Sequence, residues 1–340
     1  MLKINMFSTA TKVKGQGVGS AYSELINMLK RYFPEEFDIK INDYSQSDIS
    51  HYHTINPTFF VSTFFKKRGR KIGYVHFLPE TLEGSLKIPK LVKGLVYRYV
   101  IAFYKRMDHI VVVNPSFIPK LEKYGIDRQT ITYIPNFVNR DEFHPANRDV
   151  KRSLRKKRGY DPDRFTVLGS GQIQTRKGVL DFVTLAKQNP TLQFIWTGGF
   201  SFGKMTEGYA ELERIVKDPP SNLSFPGIID RAKMVEYYNM ADLFILPSYN
   251  ELFPMSVLEA FSTQTPVMLR DLDLYKSIID GDYLAAANVE EMNQKLALLV
   301  HHPDELAKLT RKAEEASERY SESRLAKIWH DFYNQQARKG

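Results

Sequence analysis

Short hydrophobic runs alternate along this chain with longer segments whose apolar positions recur every three or four residues, and the alternation starts twice. In the first half the runs predict strands at 4–8, 38–42, 49–53, 71–76 and 109–113, with 131–139 as a last strand running into a hinge. Helices are expected at 19–32, 86–106 and 115–124. The second half predicts strands at 165–169, 193–197, 223–225, 243–246 and 266–269, with helices between them and a long helical region from 289 to the end. Nearly continuous apolar strands, such as the run 241–247, mark parallel strands covered on both faces, and their alternation with helices predicts an α/β class of two doubly wound, Rossmann-like domains.

The polar stretch 140–164, with Pro145 and Pro162 in it, is the expected interdomain connection. The expected domains are therefore 1–145 and 165–319, joined by a linker at 146–164, with the helix at about 320–340 crossing back onto the first domain. At 340 residues each half is large enough to bury a sheet and its helices.

Candidate chemistry sits at strand ends. Glu251-Leu-Phe-Pro-Met-Ser-Val-Leu-Glu259 sets two carboxylates eight residues apart across a loop-to-helix junction. Pro254 suits a first helical turn, where its missing N–H would be unpaired anyway, and the amides of Met255, Ser256 and Val257 can then face an anion. Glu251 can accept hydrogen bonds from sugar hydroxyls and Glu259 a bidentate pair from a ribose diol. Elsewhere the two would be a solvated loop residue and a helix-surface residue. Beyond a buried parallel strand, where open α/β sheets bind ligands, they suit a nucleotide-sugar.

Two glycine-rich turns add to this. Gly15-Gln-Gly-Val-Gly-Ser20 follows the first strand, so Gly17, Val18 and Gly19 can bring backbone amides close to a ligand; its G-x-G-x-G spacing departs from the dinucleotide fingerprint G-x-G-x-x-G. Gly169-Ser-Gly-Gln-Ile-Gln-Thr-Arg-Lys-Gly178 repeats the logic and places Arg176 and Lys177 at a strand-to-helix turn, where cations oppose the helix dipole unless an anion lies between. Thr197-Gly-Gly199 is another close-approach turn. His76 ends a strand and can donate to a sugar hydroxyl or serve structurally. His51 and His53 lack an evident third ligand for a metal, so they read as structural or cleft-lining. Asp271-Leu-Asp273 has the letters of a metal-binding DxD but follows Arg270 and is discounted.

The chain carries a formal charge of +9 and no cysteine, so disulfides and thiolate metal sites are excluded. The N-terminal segment reads as a strand and not as a signal peptide, which makes the cytoplasm the expected compartment. The excess charge lies in residues 1–150, with 22 Lys and Arg against 14 acidic residues; the remainder has 26 against 25. Lys66, Lys67, Arg68 and Arg70 form one basic run, and Lys87, Lys90, Lys93 and Arg98 belong to a second whose cations are interleaved with Leu, Val, Ile, Tyr and Phe. A solvated face, a nucleic-acid surface and an anionic membrane surface compete for this pattern. No nucleic-acid-reading motif accompanies it, and the apolar content favours lipid.

Together these residues resemble the retaining GT-B glycosyltransferases of family GT4, from the first strand to about residue 280, and within that family the bacterial diglycosyl-diacylglycerol synthases. The E-x7-E pair Glu251 and Glu259 is the most specific element, supported by Ile134-Pro-Asn-Phe-Val138, Lys177-Gly178 and Thr265-Pro-Val267. The resemblance implies two Rossmann-like domains facing a central cleft. It implies Glu251 on the donor sugar, Glu259 on the ribose, Lys177 on the diphosphate and His76 as the cleft histidine. Gly171, Gln172, Gly198, Ile229 and Phe253 would complete the donor site. The family carries Arg at the position of Gln172, and Arg176 is the expected substitute on phosphate; Leu252 and Pro254 stand where the family tends to have glycines. The implied reaction is transfer of glucose or galactose from UDP-hexose to monoglucosyl-diacylglycerol at the inner face of the plasma membrane, without cofactor or catalytic metal. A soluble glycan or cell-wall acceptor, and a non-catalytic nucleotide- or lipid-binding module, are the alternatives.

Overall fold

The computed structural model describes residues 1–12, 17–76, 78–79, 90–201 and 203–339, with side chains for all of these except 12 and 90–92. Gly15 and Lys87 therefore lie outside the described residues, as does the side chain of Lys90. The chain divides into two compact units, the first taking the described residues up to Phe137 together with those from Glu322 onward, the second Val138–Ser321.

The first unit runs β1 (Leu2–Phe7), α1 (Gly17–Tyr32), β2 (Phe37–Ile41), β3 (Ile49–Tyr52), α2 (Pro57–Ser62), β4 (Arg70–Val75), α3 (Lys90–Lys105), β5 (His109–Val112), α4 (Ile118–Lys123) and β6 (Ile131–Tyr133). All pairings are parallel, in the order β2-β1-β3-β4-β5-β6. The last strand is shorter than its apolar run suggested, ending at Tyr133.

The second unit runs α5 (Arg148–Lys157), β7 (Thr166–Ser170), α6 (Val179–Gln188), β8 (Gln193–Thr197), α7 (Tyr209–Lys217), β9 (Leu223–Gly227), α8 (Arg231–Met240), β10 (Leu243–Leu246), α9 (Met255–Ser262), β11 (Val267–Arg270), α10 (Asp273–Lys276), β12 (Leu284–Ala286), α11 (Val289–His301) and α12 (Pro303–Arg319). Its parallel order is β12-β11-β10-β7-β8-β9. The first strand of this sheet, β7, is thus flanked by β8 on one side and β10 on the other, so the chain winds outward in both directions from the β7–β10 pair. In open α/β sheets ligands bind at such a reversal point, beyond the carboxyl ends of the strands. Strands β10 and β11 are buried along their whole length, as their unbroken apolar runs require. The three-residue edge strand β12 was not anticipated, being too short to carry a pattern.

The final helix, α13 (Glu322–Ala337), belongs to the first unit. Leu325, Trp329, Phe332, Tyr333 and Gln336 recur at helical spacing and are buried, each large apolar side chain contributing roughly 1.5–3 kcal/mol. Arg31 pairs with Glu322 at 3.0 Å, and Arg70 donates from Nε to Gln336 Oε1 at 3.1 Å.

Two expectations are corrected. The polar stretch around 146–164 is no linker: α5 packs on α8, and the buried Arg155 donates to the Met240 carbonyl at 2.6 and 2.8 Å and pairs with Asp242 at 2.6 Å, where Lys151 also binds at 3.0 Å. Charges that read as solvated instead cap the turn before β10. Arg68 is no surface cation either. Its exposure is 0%, and its guanidinium donates to the carbonyls of Asp43 (3.2 Å), Tyr44 and Ser45 (2.6 Å), so burial is compensated by backbone oxygens and not by lipid phosphate. Arg70 is half-buried and committed to Gln336 and the Asp108 carbonyl. Arg68→Ala is expected to lower stability in urea unfolding by about 3 kcal/mol, the loss of several charge-assisted hydrogen bonds in a closed site, without altering vesicle binding of the folded protein. Unchanged stability with weakened vesicle binding would return Arg68 to the membrane face.

Candidate functional site

The carboxyl ends of β7 and β10 converge in the second unit. After β7 the chain passes Gly171 and turns through Thr175–Lys177 into α6; after β10 it forms the loop that carries Glu251 and enters α9. The two loops touch at Gly178, whose φ is +69° and where an added Cβ would lie 2.1 Å from the Pro247 carbonyl oxygen. A side chain there would push the loops apart. The Tyr249 amide donates to the Arg176 carbonyl at 2.9 Å, and Arg176 Nη1 donates to the Asn250 carbonyl at 2.5 Å. Below this seam, Asp181 in the first turn of α6 accepts from Tyr249 Oη at 2.8 Å and pairs with Arg270, which stacks on the Tyr249 ring and donates to the Pro247 carbonyl at 3.1 Å.

That seam brings Lys177 Nζ to 2.5 Å from Glu251 Oε1, where Ser248 Oγ donates at 2.6 Å and Arg176 Nη1 lies at 3.7 Å. Glu251 is buried. Burial acts to raise its carboxyl, but Lys177 and then Arg176 outweigh it and hold the group below the ordinary glutamate value. Burial draws the Lys177 ammonium below its ordinary value, with Glu251 opposing. One carboxylate facing two cations leaves a net positive site, the charge a diphosphate needs. The Tyr275 hydroxyl of α10 is buried beside this group and finds no hydrogen-bond partner among the described residues; burial, then the Glu251 charge, keep it protonated.

Glu259, four residues into α9, is also buried. Its Oε1 pairs with Arg231 at 2.5 Å and its Oε2 accepts from Tyr238 Oη at 2.7 Å, which fixes the carboxylate while leaving further lone pairs to accept from a diol. Pro254 is the residue before the helix, not within its first turn, and its carbonyl accepts from the Val257 amide at 3.1 Å. The expectation of three free amides is therefore corrected to Met255 and Ser256: the carbonyl that closes the first turn takes the third. The Phe253 ring is buried edge-on against Tyr320, so that side chain anchors the loop and does not face a ligand.

The remaining expected donor positions border the same sheet end. Gly198 has a φ of +133°, and a Cβ there would meet the Gly171 carbonyl oxygen at 1.9 Å, so these two turns pack backbone on backbone. Ile229 is half-buried in the turn after β9. Gln172 supplies no charge: its Oε1 accepts from Gln174 Nε2 at 2.7 Å. Arg231, Tyr238, Ser248 and the Asp181–Arg270–Tyr249 group escaped sequence reasoning. Ser248 alone carried a local signal, three residues before Glu251; the others reach the site from separate turns.

In the first unit, Gly17, Val18 and Gly19 open α1. His76 lies at the end of β4, with Nε2 at 3.4 Å from His53 Nδ1, and His51 Nδ1 shares a 2.8 Å hydrogen bond with Tyr333 Oη of α13. All three imidazoles are buried among Tyr74, Trp329 and Tyr333. Burial pushes His51 and His76 down to about 3 and His53 well below its ordinary value. His76 is thus a neutral hydrogen-bonding group. Among the described residues no cluster of three His, Asp or Glu side chains can hold a metal ion.

The unfolded chain protonates these imidazoles near pH 6.5, whereas folded His51 and His76 resist until about 3, so their contribution to stability is complete above 6.5 and is lost as the pH falls from there. Urea unfolding of the first unit is expected to weaken on acidification by up to about 1.4 kcal/mol per pH unit for each buried histidine. Stability independent of pH in that window would mean that the cluster is hydrated and charged.

The profile of the group 1 glycosyl transferases matches residues 150–316 and that of glycosyltransferase family 4 residues 19–142. The chain is 52% identical over 340 residues to the alpha-galactosylglucosyldiacylglycerol synthase of Streptococcus pneumoniae, covering 100% of this chain and 91% of that one. It is 29% identical over 206 residues to the processive diacylglycerol alpha-glucosyltransferase of Acholeplasma laidlawii, covering 58% of this chain and 61% of the relative. Solved structures with the same fold include Anabaena HepE in complex with UDP-glucose (TM-score 0.80, 13% identity, 98% and 100% of the two chains) and the sucrose-phosphate synthase of Thermosynechococcus elongatus (TM-score 0.82, 16% identity, 100% of both). With paired parallel sheets, a cationic turn against the first glutamate of its E-x7-E segment and full-length similarity to a named synthase, the chain belongs to glycosyltransferase family 4 and is a hexosyltransferase of the GT-B fold.

Proposed function

We propose that the protein transfers a galactosyl group from UDP-galactose, with retention at the anomeric carbon, to monoglucosyl-diacylglycerol at an anionic membrane surface. The observation that carries the chemistry is the net positive Lys177–Arg176–Glu251 cluster at the reversal point of the second sheet. The acceptor and the choice of galactose rest on the full-length similarity to the pneumococcal synthase.

In the proposed reaction the bond between the hexose anomeric carbon and the UDP oxygen breaks, and a bond forms from the acceptor hydroxyl oxygen to the same face of that carbon. The acceptor proton passes to the departing phosphate oxygen, and UDP leaves as the anion. Lys177 and the amides of Met255 and Ser256 meet the growing charge on the diphosphate. Glu251 accepts from hexose hydroxyls and Glu259 from the ribose diol. The positive charge that stabilises the leaving group is supplied by side chains, and we propose that no catalytic metal takes part.

Membrane association is proposed for the first unit. Lys66 and Lys67 are exposed beside the exposed side chains of Val61, Phe64 and Phe65, while α3 exposes Leu95 and Arg98 and stacks its half-buried Lys93 on Tyr97. Cations that meet lipid phosphate next to aromatic groups that enter the interface suit an anionic bilayer. No described helix is long and apolar enough to cross a membrane, so the contact proposed is peripheral.

The test is incubation with radiolabelled UDP-galactose or UDP-glucose on vesicles of anionic lipid and monoglucosyl-diacylglycerol, with product analysis. Galactosyl transfer to the glycolipid is expected, falling by about a hundredfold or more in Lys177→Ala. Transfer from UDP-glucose alone would overturn the donor assignment, and transfer confined to soluble glycans the acceptor. In the same vesicles Phe64→Ser with Phe65→Ser is expected to weaken binding about tenfold, as loss of two interfacial aromatic side chains should. Wild-type binding by that variant would remove these residues from the contact.

A further inference from the structure

The turn before α6 brings Glu251 a second cation, and the two are held differently. Lys177 reaches Glu251 through a flexible four-carbon stem that can turn to a phosphate. Arg176 is tied to the glutamate's own loop at both ends: its carbonyl accepts from the Tyr249 amide at 2.9 Å, and its Nη1 donates to the Asn250 carbonyl at 2.5 Å while lying 3.7 Å from Glu251 Oε1. A guanidinium so fixed would have to abandon the loop to serve as a phosphate fork. Were Arg176 to leave as well once Lys177 turns to a diphosphate, the buried carboxylate would keep, among the described residues, the Ser248 hydroxyl, and a buried charge without a counter-ion is strongly disfavoured.

We propose that Arg176 is the positioning residue that remains with Glu251 when Lys177 engages the donor diphosphate, keeping the carboxylate ionised and aimed at the hexose, and that Arg176 does not itself bind phosphate. This departs from the role of replacement phosphate ligand that the missing arginine at Gln172 suggested. It rests on the reading of Lys177 and Glu251 given above. Among the described residues, the groups facing Glu251 are Lys177 and Arg176 from the turn before α6, Ser248 from its own loop and the Tyr275 hydroxyl of α10, which stays protonated. Arg176 is thus the cation left to lower the carboxyl while Lys177 is occupied.

The test compares wild type, Arg176→Gln and Arg176→Lys by calorimetric titration with UDP and with UDP-galactose across the acidic range, without acceptor. Affinity for UDP alone is expected to fall by less than about fivefold in Arg176→Gln: the cluster loses its net positive charge, a screened effect at a distance, while the diphosphate keeps its direct contact with Lys177. Affinity for UDP-galactose should be lost about one pH unit higher than in wild type, since an opposite charge at this range lowers a carboxyl by about a unit or more. Arg176→Lys, which restores the charge, should move that limb back towards wild type. In a Glu251→Gln background Arg176→Gln should leave the remaining pH dependence unchanged.

A fall in UDP affinity of about tenfold or more in Arg176→Gln, with the acid limb unmoved, would overturn the proposal in favour of a phosphate ligand. So would two unchanged titrations. Should Arg176→Gln lose its fold, as judged by circular dichroism, the same fall in UDP affinity in Arg176→Lys would sink it. Failure of wild type to bind either nucleotide at any pH would instead overturn the donor reading on which the proposal stands.

Discussion

The buried contact between Lys177 and Glu251 sets the terms for the second unit. Two charges taken out of water are tolerated when their geometry is good and their remaining hydrogen-bonding capacity is met, and the surrounding chain supplies both. Gly178 lets one loop rest on the carbonyl of the other, the Tyr249 amide donates to the Arg176 carbonyl while the Arg176 guanidinium donates back to the Asn250 carbonyl, and Asp181 and Arg270 hold the seam from below. None of this would meet if β7 and β10 were not neighbours. The winding order of the sheet is therefore as much a part of the site as its charges.

The first unit handles titratable groups the opposite way. Its three clustered histidines are kept neutral by burial under α13, with aromatic rings where the second unit places counter-ions. A neutral imidazole at the end of β4 donates or accepts a hydrogen bond without bringing charge of its own. Trp329 and Tyr333, a helical turn apart on α13, join the chain's last helix to this cluster. Residues distant in sequence thus determine how far the environment of His76 departs from water.

The alternation of strands and helices was legible because unbroken apolar runs and helical spacing survive any tertiary arrangement, and most strands begin within a residue or two of their expected places. Glu251, Glu259 and Lys177 were legible as candidates, since carboxylates and cations at strand ends have few structural uses, and the structure brings Lys177 to Glu251; His76 carried no such signal, a strand-end imidazole being about as often structural. Arg155 and Arg68 misled, because a cation buried against carbonyl oxygens has the same letters as one facing solvent. Val257 misled for a smaller reason: a proline just before a helix, instead of inside it, changes which amide is taken.

By itself the sequence determined the class of fold, the two-domain division in outline, the family and the segment proposed to carry the chemistry, because each of these is written in local pattern and residue type. Tertiary structure decided which cation faces Glu251, that both oxygens of Glu259 are already held by Arg231 and Tyr238, and that three histidines on adjacent strands share one dry interior. Those are matters of burial and partnership between turns dozens of residues apart. A side chain's charge state and reach depend on its neighbours in space, and the linear pattern does not specify them.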